Sequence, residues 1–164
     1  VTVSGGAVRE PKNLMVRIGT SFKDVIDCCG GWIEEPVKVI AGGPMMGCAQ
    51  HTLIVPVMKG TSGILLFTEK EAYEREPSNC IRCARCVEVC PIRLAPLYIS
   101  AHSLKGNMEE AEKLDAMDCI ECGSCSYICP ASRPLLPSIM VAKKAIIADR
   151  KRQAEADQHR QNKR

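Results

Sequence analysis

One feature constrains this chain more than any other: a cysteine run that occurs twice. Cys80, Cys83, Cys86 and Cys90 recur thirty-nine residues later as Cys119, Cys122, Cys125 and Cys129, and each run closes on a proline, Pro91 or Pro130. Both copies read C-x-x-C-x-x-C-x-x-x-C-P. Three thiolates, each separated from the next by two residues, let one short loop wrap an iron–sulfur cube. The fourth lies a helical turn further on, points away and ligates the other cube. On that logic Cys80, Cys83, Cys86 and Cys129 hold one [4Fe–4S] cluster, and Cys119, Cys122, Cys125 and Cys90 hold the second. Pro91 and Pro130 end the runs by denying a backbone donor.

Crossed ligation ties the two copies together, so metal binding stabilises the fold itself. Zinc is the alternative metal, but tetrahedral zinc sites use pairs of C-x-x-C rather than two runs of four ending in proline. A cube held by four thiolates carries one electron, and two cubes on one module form a step in an electron wire. No acid/base or nucleophile constellation accompanies them, so no catalytic residue is expected. Arg82, Arg85 and Arg93 flank the first copy and Glu121 lies in the second, a charge contrast that would favour reduction of the first cluster.

The remaining cysteines, Cys28, Cys29 and Cys48, have no ligand spacing and read as small buried hydrophobes. An odd total of eleven, eight of them in the two runs, argues against a disulfide scaffold. His51, His102 and His159 stand alone, in surface or core roles. Gly42-Gly43-Pro44-Met45-Met46-Gly47 has the glycine density that permits close backbone approach. It reads as a structural turn followed by two core methionines.

Composition changes near residue 76. Before it, Val/Ile-rich stretches at Val1–Val3, Leu14–Ile18, Val37–Ala41, Leu53–Val57 and Ile64–Phe67 predict short strands broken by Gly and Pro. Ser21 and Asp24 form a capping-box pattern for one helix, stopped by Gly30-Gly31. Glu69 to Pro77 reads as a polar connector, and beyond it the pattern is helical. Pro96 suits a helix start and Gly106 a stop; Asn107 then caps a second helix with Glu110 three residues on. Ser138 is expected to cap a long helix to about residue 148. The fold class is therefore α+β: a small domain over 1–75, an all-helical two-cluster domain over 76–148, and a basic tail over 149–164 expected to fray.

With 164 residues, 4% of them aromatic, the cores should be small and aliphatic. The net charge of +3 is modest, and from Lys143 onward eight Lys/Arg face three acids. No aromatics are interleaved with that basic run, which speaks against nucleic acid. No stretch reaches the roughly 18 uncharged apolar residues of a membrane span. The chain opens at Val1 in what reads as mid-strand, and is expected to be a piece of something longer.

Residues 41–47 (AGGPMMG), 55–67 (VPVMKGTSGILLF), 80–91 (CIRCARCVEVCP) and 119–130 (CIECGSCSYICP) together strongly resemble the C subunit of the Rnf electron-transport complex. The likeness runs nearly to residue 147. It implies a soluble-ligand-binding β-grasp (SLBB) domain followed by a helical two-[4Fe–4S] ferredoxin domain. It further implies a subunit peripheral to the membrane, on its cytoplasmic face, in a complex that couples electron transfer between ferredoxin and NAD to ion translocation. Its partners would be the other redox subunits and an upstream domain holding FMN and NADH. No Gly-rich dinucleotide fingerprint follows a strand here, so NADH oxidation is assigned to no residue of this chain. A related cobalamin reductase of metabolosomes shares GGPMMG and both cysteine runs, and the VMKGTSGIL stretch favours Rnf over it. A module with structural metal and a purely partner-binding first half is the non-redox alternative.

Overall fold

The computed structural model describes residues 1–72 and 75–161. The chain divides into two compact units, Val1–Arg75 and Glu76–Arg164.

In the first unit, five short strands form one mixed sheet: β1 (Thr2–Ser4), β2 (Lys12–Asn13), β3 (Lys38–Ala41), β4 (Cys48–Gln50) and β5 (Gly63–Phe67), in the order β2-β1-β5-β3-β4. β1 and β5 run parallel at the centre, with Val3 opposite Ile64; the other pairs are antiparallel. This is the β-grasp arrangement. Helix α1 (Phe22–Asp27) packs on it, placing Phe22, Val25 and Ile26 against Val3, Ile64 and Leu66. Its N-terminus forms as the sequence suggests: Ser21 Oγ accepts from the Asp24 amide at 3.1 Å. Gly30 and Gly31 then turn the chain at positive φ.

Two expected strands lie elsewhere. Leu14–Ile18 is not a strand; the ladder pairs Thr2 with Asn13 and Val3 with Lys12, and Leu14 alone of that stretch extends it, exchanging backbone hydrogen bonds with Val1 at 2.9 and 2.7 Å. Leu53–Val57 alternates like a strand and buries alternate residues, yet it joins no sheet. Its backbone instead straps the approach to α1: the amides of Phe22 and Lys23 donate to the carbonyls of Val55 and Leu53. The fourth strand is the polar Cys48–Gln50, an edge without apolar signal.

The GGPMMG segment is the tight turn between β3 and β4. Gly42 has φ +106°, and a Cβ on Gly47 would stand 2.5 Å from the Gly43 carbonyl oxygen. Its methionines are not core residues: Met45 and Met46 are 41% and 65% exposed, lifted off the sheet by that turn.

The second unit is helical: α2 (Arg85–Glu88), α3 (Pro96–Leu104), α4 (Met108–Lys113), a 3-10 turn at Ala116–Asp118, α5 (Ser124–Ile128) and α6 (Leu135–Gln161). Pro96 starts α3 and the Asn107 side chain accepts from the Glu110 amide, both as expected. Ile99, Ala111, Ala116, Ile139, Ala142 and Ile146 form the core where α3 and α4 meet α6. Ser138 is not a cap. α6 begins three residues earlier, because Pro137 within the first turn needs no amide partner. Ser138 is buried instead, its hydroxyl 2.7 Å from Ser100 Oγ and 2.8 Å from the Leu135 carbonyl oxygen. The basic stretch from residue 149, expected to fray, continues α6 to Gln161. Arg150 binds Glu112 on α4, and the pairs Asp149–Arg152 and Lys151–Glu155 lie at helical spacing.

Candidate metal centres

The thirty-nine-residue repeat is written into the backbone as well as the cysteines. Arg82 and Glu121 take φ +53° and +57°, Ala84 and Gly123 take +62° and +79°, and Arg93 and Ser132 take +58° and +48°. Left-handed backbone is strained for residues with a Cβ. Finding it at matched places in both runs means that the loops, not their individual residues, require it. Alternating handedness turns successive amides to one side, the concave nest that suits anionic sulfur clusters. α2 and α5 then start at the equivalent residues Arg85 and Ser124, each directly after a left-handed position.

These loops and helices create two cavities. Cys80, Cys83, Cys86 and Cys129 line the first, about 90 Å³ in volume; Cys90, Cys119, Cys122 and Cys125 line the second, about 20 Å³. Each set draws three cysteines from one copy and one from the other. The donor chemistry fits two [4Fe–4S] cubes, four thiolates apiece. Among the described residues no three Cys, His or acidic side chains converge closely enough to hold a single ion.

The surroundings of the two cavities differ. Cys80 and Cys83 are exposed, whereas Cys119 and Cys122 are half-buried and Cys125 is buried. Burial pushes the Cys125 thiol up to about 11 and raises Cys119 and Cys86 as well. Hydrogen bonds from Ser124, side chain first, hold Cys122 below its usual value. Buried thiols must shed protons to bind metal, so uptake should strengthen as pH rises. The Leu94 amide lies 3.3 Å from Cys90 Sγ, a further donor aimed at sulfur.

The charge contrast read from the sequence is weaker than it looked. Glu121 is paired with Lys143 of α6, Nζ to Oε1 2.7 Å. Sequence reasoning missed Lys143, which lies eighteen residues after Cys125 and carries no motif. Of the three other cysteines only Cys29 is buried; Cys28, at the end of α1, and Cys48, on edge strand β4, are exposed. His51 and His159 are exposed and His102 is half-buried.

Comparison with known proteins bears on both units. A family described as "SLBB domain" matches residues 1–49, and one described as "4Fe-4S dicluster domain" matches residues 72–130. The C subunit of the Na(+)-translocating ferredoxin:NAD(+) oxidoreductase complex of Acetobacterium woodii is 55% identical over 93% of this chain. The C subunit of the proton-translocating counterpart from Clostridium ljungdahlii is 54% identical over 68%. The C subunit of the ion-translocating oxidoreductase complex of Methanosarcina acetivorans is 47% identical over 95%. The matched segments cover 34%, 24% and 35% of those proteins, so the chain spans about a third of their length or less.

Proposed function

Because the chain belongs, over its SLBB and dicluster segments, to the C subunits of Rnf-type ion-translocating oxidoreductases, we propose that it relays single electrons within such a complex. Its C-terminal unit is a 4Fe–4S dicluster domain. Cys80, Cys83, Cys86 and Cys129 would hold one cluster, and Cys119, Cys122, Cys125 and Cys90 the other. The observation that carries this reading is the composition of the two cavities, each lined by four cysteines drawn from both copies. When bound, the clusters supply one-electron chemistry. The chain's own residues supply the thiolates, the left-handed loops that present them, and the burial that shields the second site.

The complex would carry electrons between ferredoxin and NAD and couple that flow to ion movement. FMN and NADH would be bound by another part of it, because the sequence of this chain carries no Gly-rich nucleotide fingerprint. Among the described residues no helix is long and apolar enough to cross a membrane. By its likeness to the C subunits, the chain would sit against membrane subunits peripherally, on the cytoplasmic face.

Anaerobic purification of the 164-residue chain tests the reading directly. About eight iron and about eight acid-labile sulfides per chain are expected, with visible charge-transfer absorption. Stoichiometric zinc without that absorption would end it. NADH added anaerobically should leave the visible bands unbleached until a flavoprotein is supplied.

A further inference from the structure

The two cysteine copies share a backbone, and the helices behind them keep the same register. α3 starts at Pro96 and α6 at Leu135, thirty-nine residues apart like the cysteines themselves. In the second copy α6 reaches into the cysteine loop. Lys143 Nζ donates to the Cys119 carbonyl at 2.6 Å and pairs with Glu121 at 2.7 Å, and only 15% of the Lys143 side chain is exposed. Glu121 is one of the left-handed residues between Cys119 and Cys122, so Lys143 grips the loop at two neighbouring points. The first copy has no equivalent. Leu104 stands where Lys143 would, and Arg82 where Glu121 would, and among the described residues no ion pair joins Arg82 to a partner.

We propose that Lys143 is a positioning residue for the second cluster alone, clamping the Cys119–Cys125 loop and biasing that cluster's reduction through its charge. The inference rests on the ligand sets proposed above. Reduction adds one negative charge to a cluster. A half-buried ammonium acts on it through a lower effective dielectric than the exposed arginines of the first copy, whose charge water and salt screen. Lys143 therefore favours the reduced second cluster, and Glu121 opposes it. Opposite signs separate an electrostatic role from a mere tether between helix and loop. Loss of Lys143 breaks both grips and loss of Glu121 only one, so a mere tether would move the cluster in the same direction in both variants, by different amounts.

The experiment is a redox titration followed by EPR on the anaerobically purified full chain, with the signals assigned by Cys83→Ser, which disturbs the first set. Lys143→Leu installs the residue found in the first copy. It should lower the reduction equilibrium of the second cluster about tenfold, equivalent to about 59 mV for one electron, and leave the first in place. Glu121→Gln should shift the second cluster upward, and Lys143→Arg should stay near the wild type. A second measurement, the rate of iron loss to a chelator, should rise for the second site in Lys143→Leu and be restored in Lys143→Arg. Shifts of the same sign in Lys143→Leu and Glu121→Gln, equal shifts at both clusters, or no shift at all would overturn the proposal. Should Lys143→Leu fail to hold its second cluster, Glu121→Gln decides, since it keeps the ammonium and its bond to Cys119. A wild-type chain with no second cluster overturns the ligand assignment itself, and this inference with it.

Discussion

The two units of this chain solve the problem of small size differently. The first packs Val3, Phe22, Val25, Ile26, Ile64, Leu66 and their neighbours into one apolar cluster under a five-stranded sheet. The second has a smaller cluster of six residues, all between Ile99 and Ile146. The first cysteine loop contributes nothing to that cluster, and the second only Cys119 at its margin. Residues 78–95 hold little regular structure beyond α2, and every residue of α2 is exposed or half-buried. The difference teaches where stability comes from. Apolar burial suffices for the first unit, whereas the cysteine loops of the second need metal to be held.

The strongest way to break this comparison is to remove the iron. Anaerobic chelation should abolish the visible bands and unfold the cysteine loops, because a structural metal contributes on the order of 10 kcal/mol. Trp32, the sole tryptophan, packs against the apolar cluster of the first unit. Its urea unfolding midpoint should not move. A Trp32 midpoint that follows the iron content would show that the two units are not independently stable.

A narrower break is Cys90→Ala. If the ligands are crossed, the variant should lose the second cluster and keep about four iron, although Cys90 is a sequence neighbour of the first set. Cluster-resolved EPR showing loss of the first signal instead would mean local ligation. For the first unit the matching change is Phe22→Ala, which empties a site 1% exposed. It should destabilise the Trp32 transition by about 3–5 kcal/mol and leave iron content alone. The smallest effect concerns backbone strain. Ala84 adopts the conformation that Gly123 adopts in the other copy. Ala84→Gly should therefore stabilise the second unit by about 1 kcal/mol, visible as later thermal loss of the cluster bands.

Features signalled within a few residues were legible in the sequence. Ser21 with Asp24, Pro96 and Asn107 mark helix starts because a cap needs only its own side chain and the next turn's amides. The cysteine spacing marked the three thiols that each run brings to one cavity, because loop geometry is local to each run; the fourth thiol of each cavity comes from the other copy. Periodicity misled where burial and pairing part company. Leu53–Val57 alternates because alternate residues are buried under a strap rather than a sheet, and β4 pairs through backbone alone with exposed or half-buried side chains. Ser138 looked like a cap, but the proline before it let α6 begin earlier.

The amino-acid order alone showed which eight cysteines fall into two matched runs and how the repeat is phased, since both follow from spacing along one chain. It also settled that a strand-rich half precedes a helical one. Tertiary packing decided the rest. Which strand lies beside which, and that Lys143 rather than solvent faces Glu121, depend on chain segments distant in sequence coming together. So does the half-burial of Cys119 while its counterpart Cys80 stays exposed: their places in the two runs are the same, and the difference arises from what each loop packs against, α6 and its neighbours in one case and water in the other.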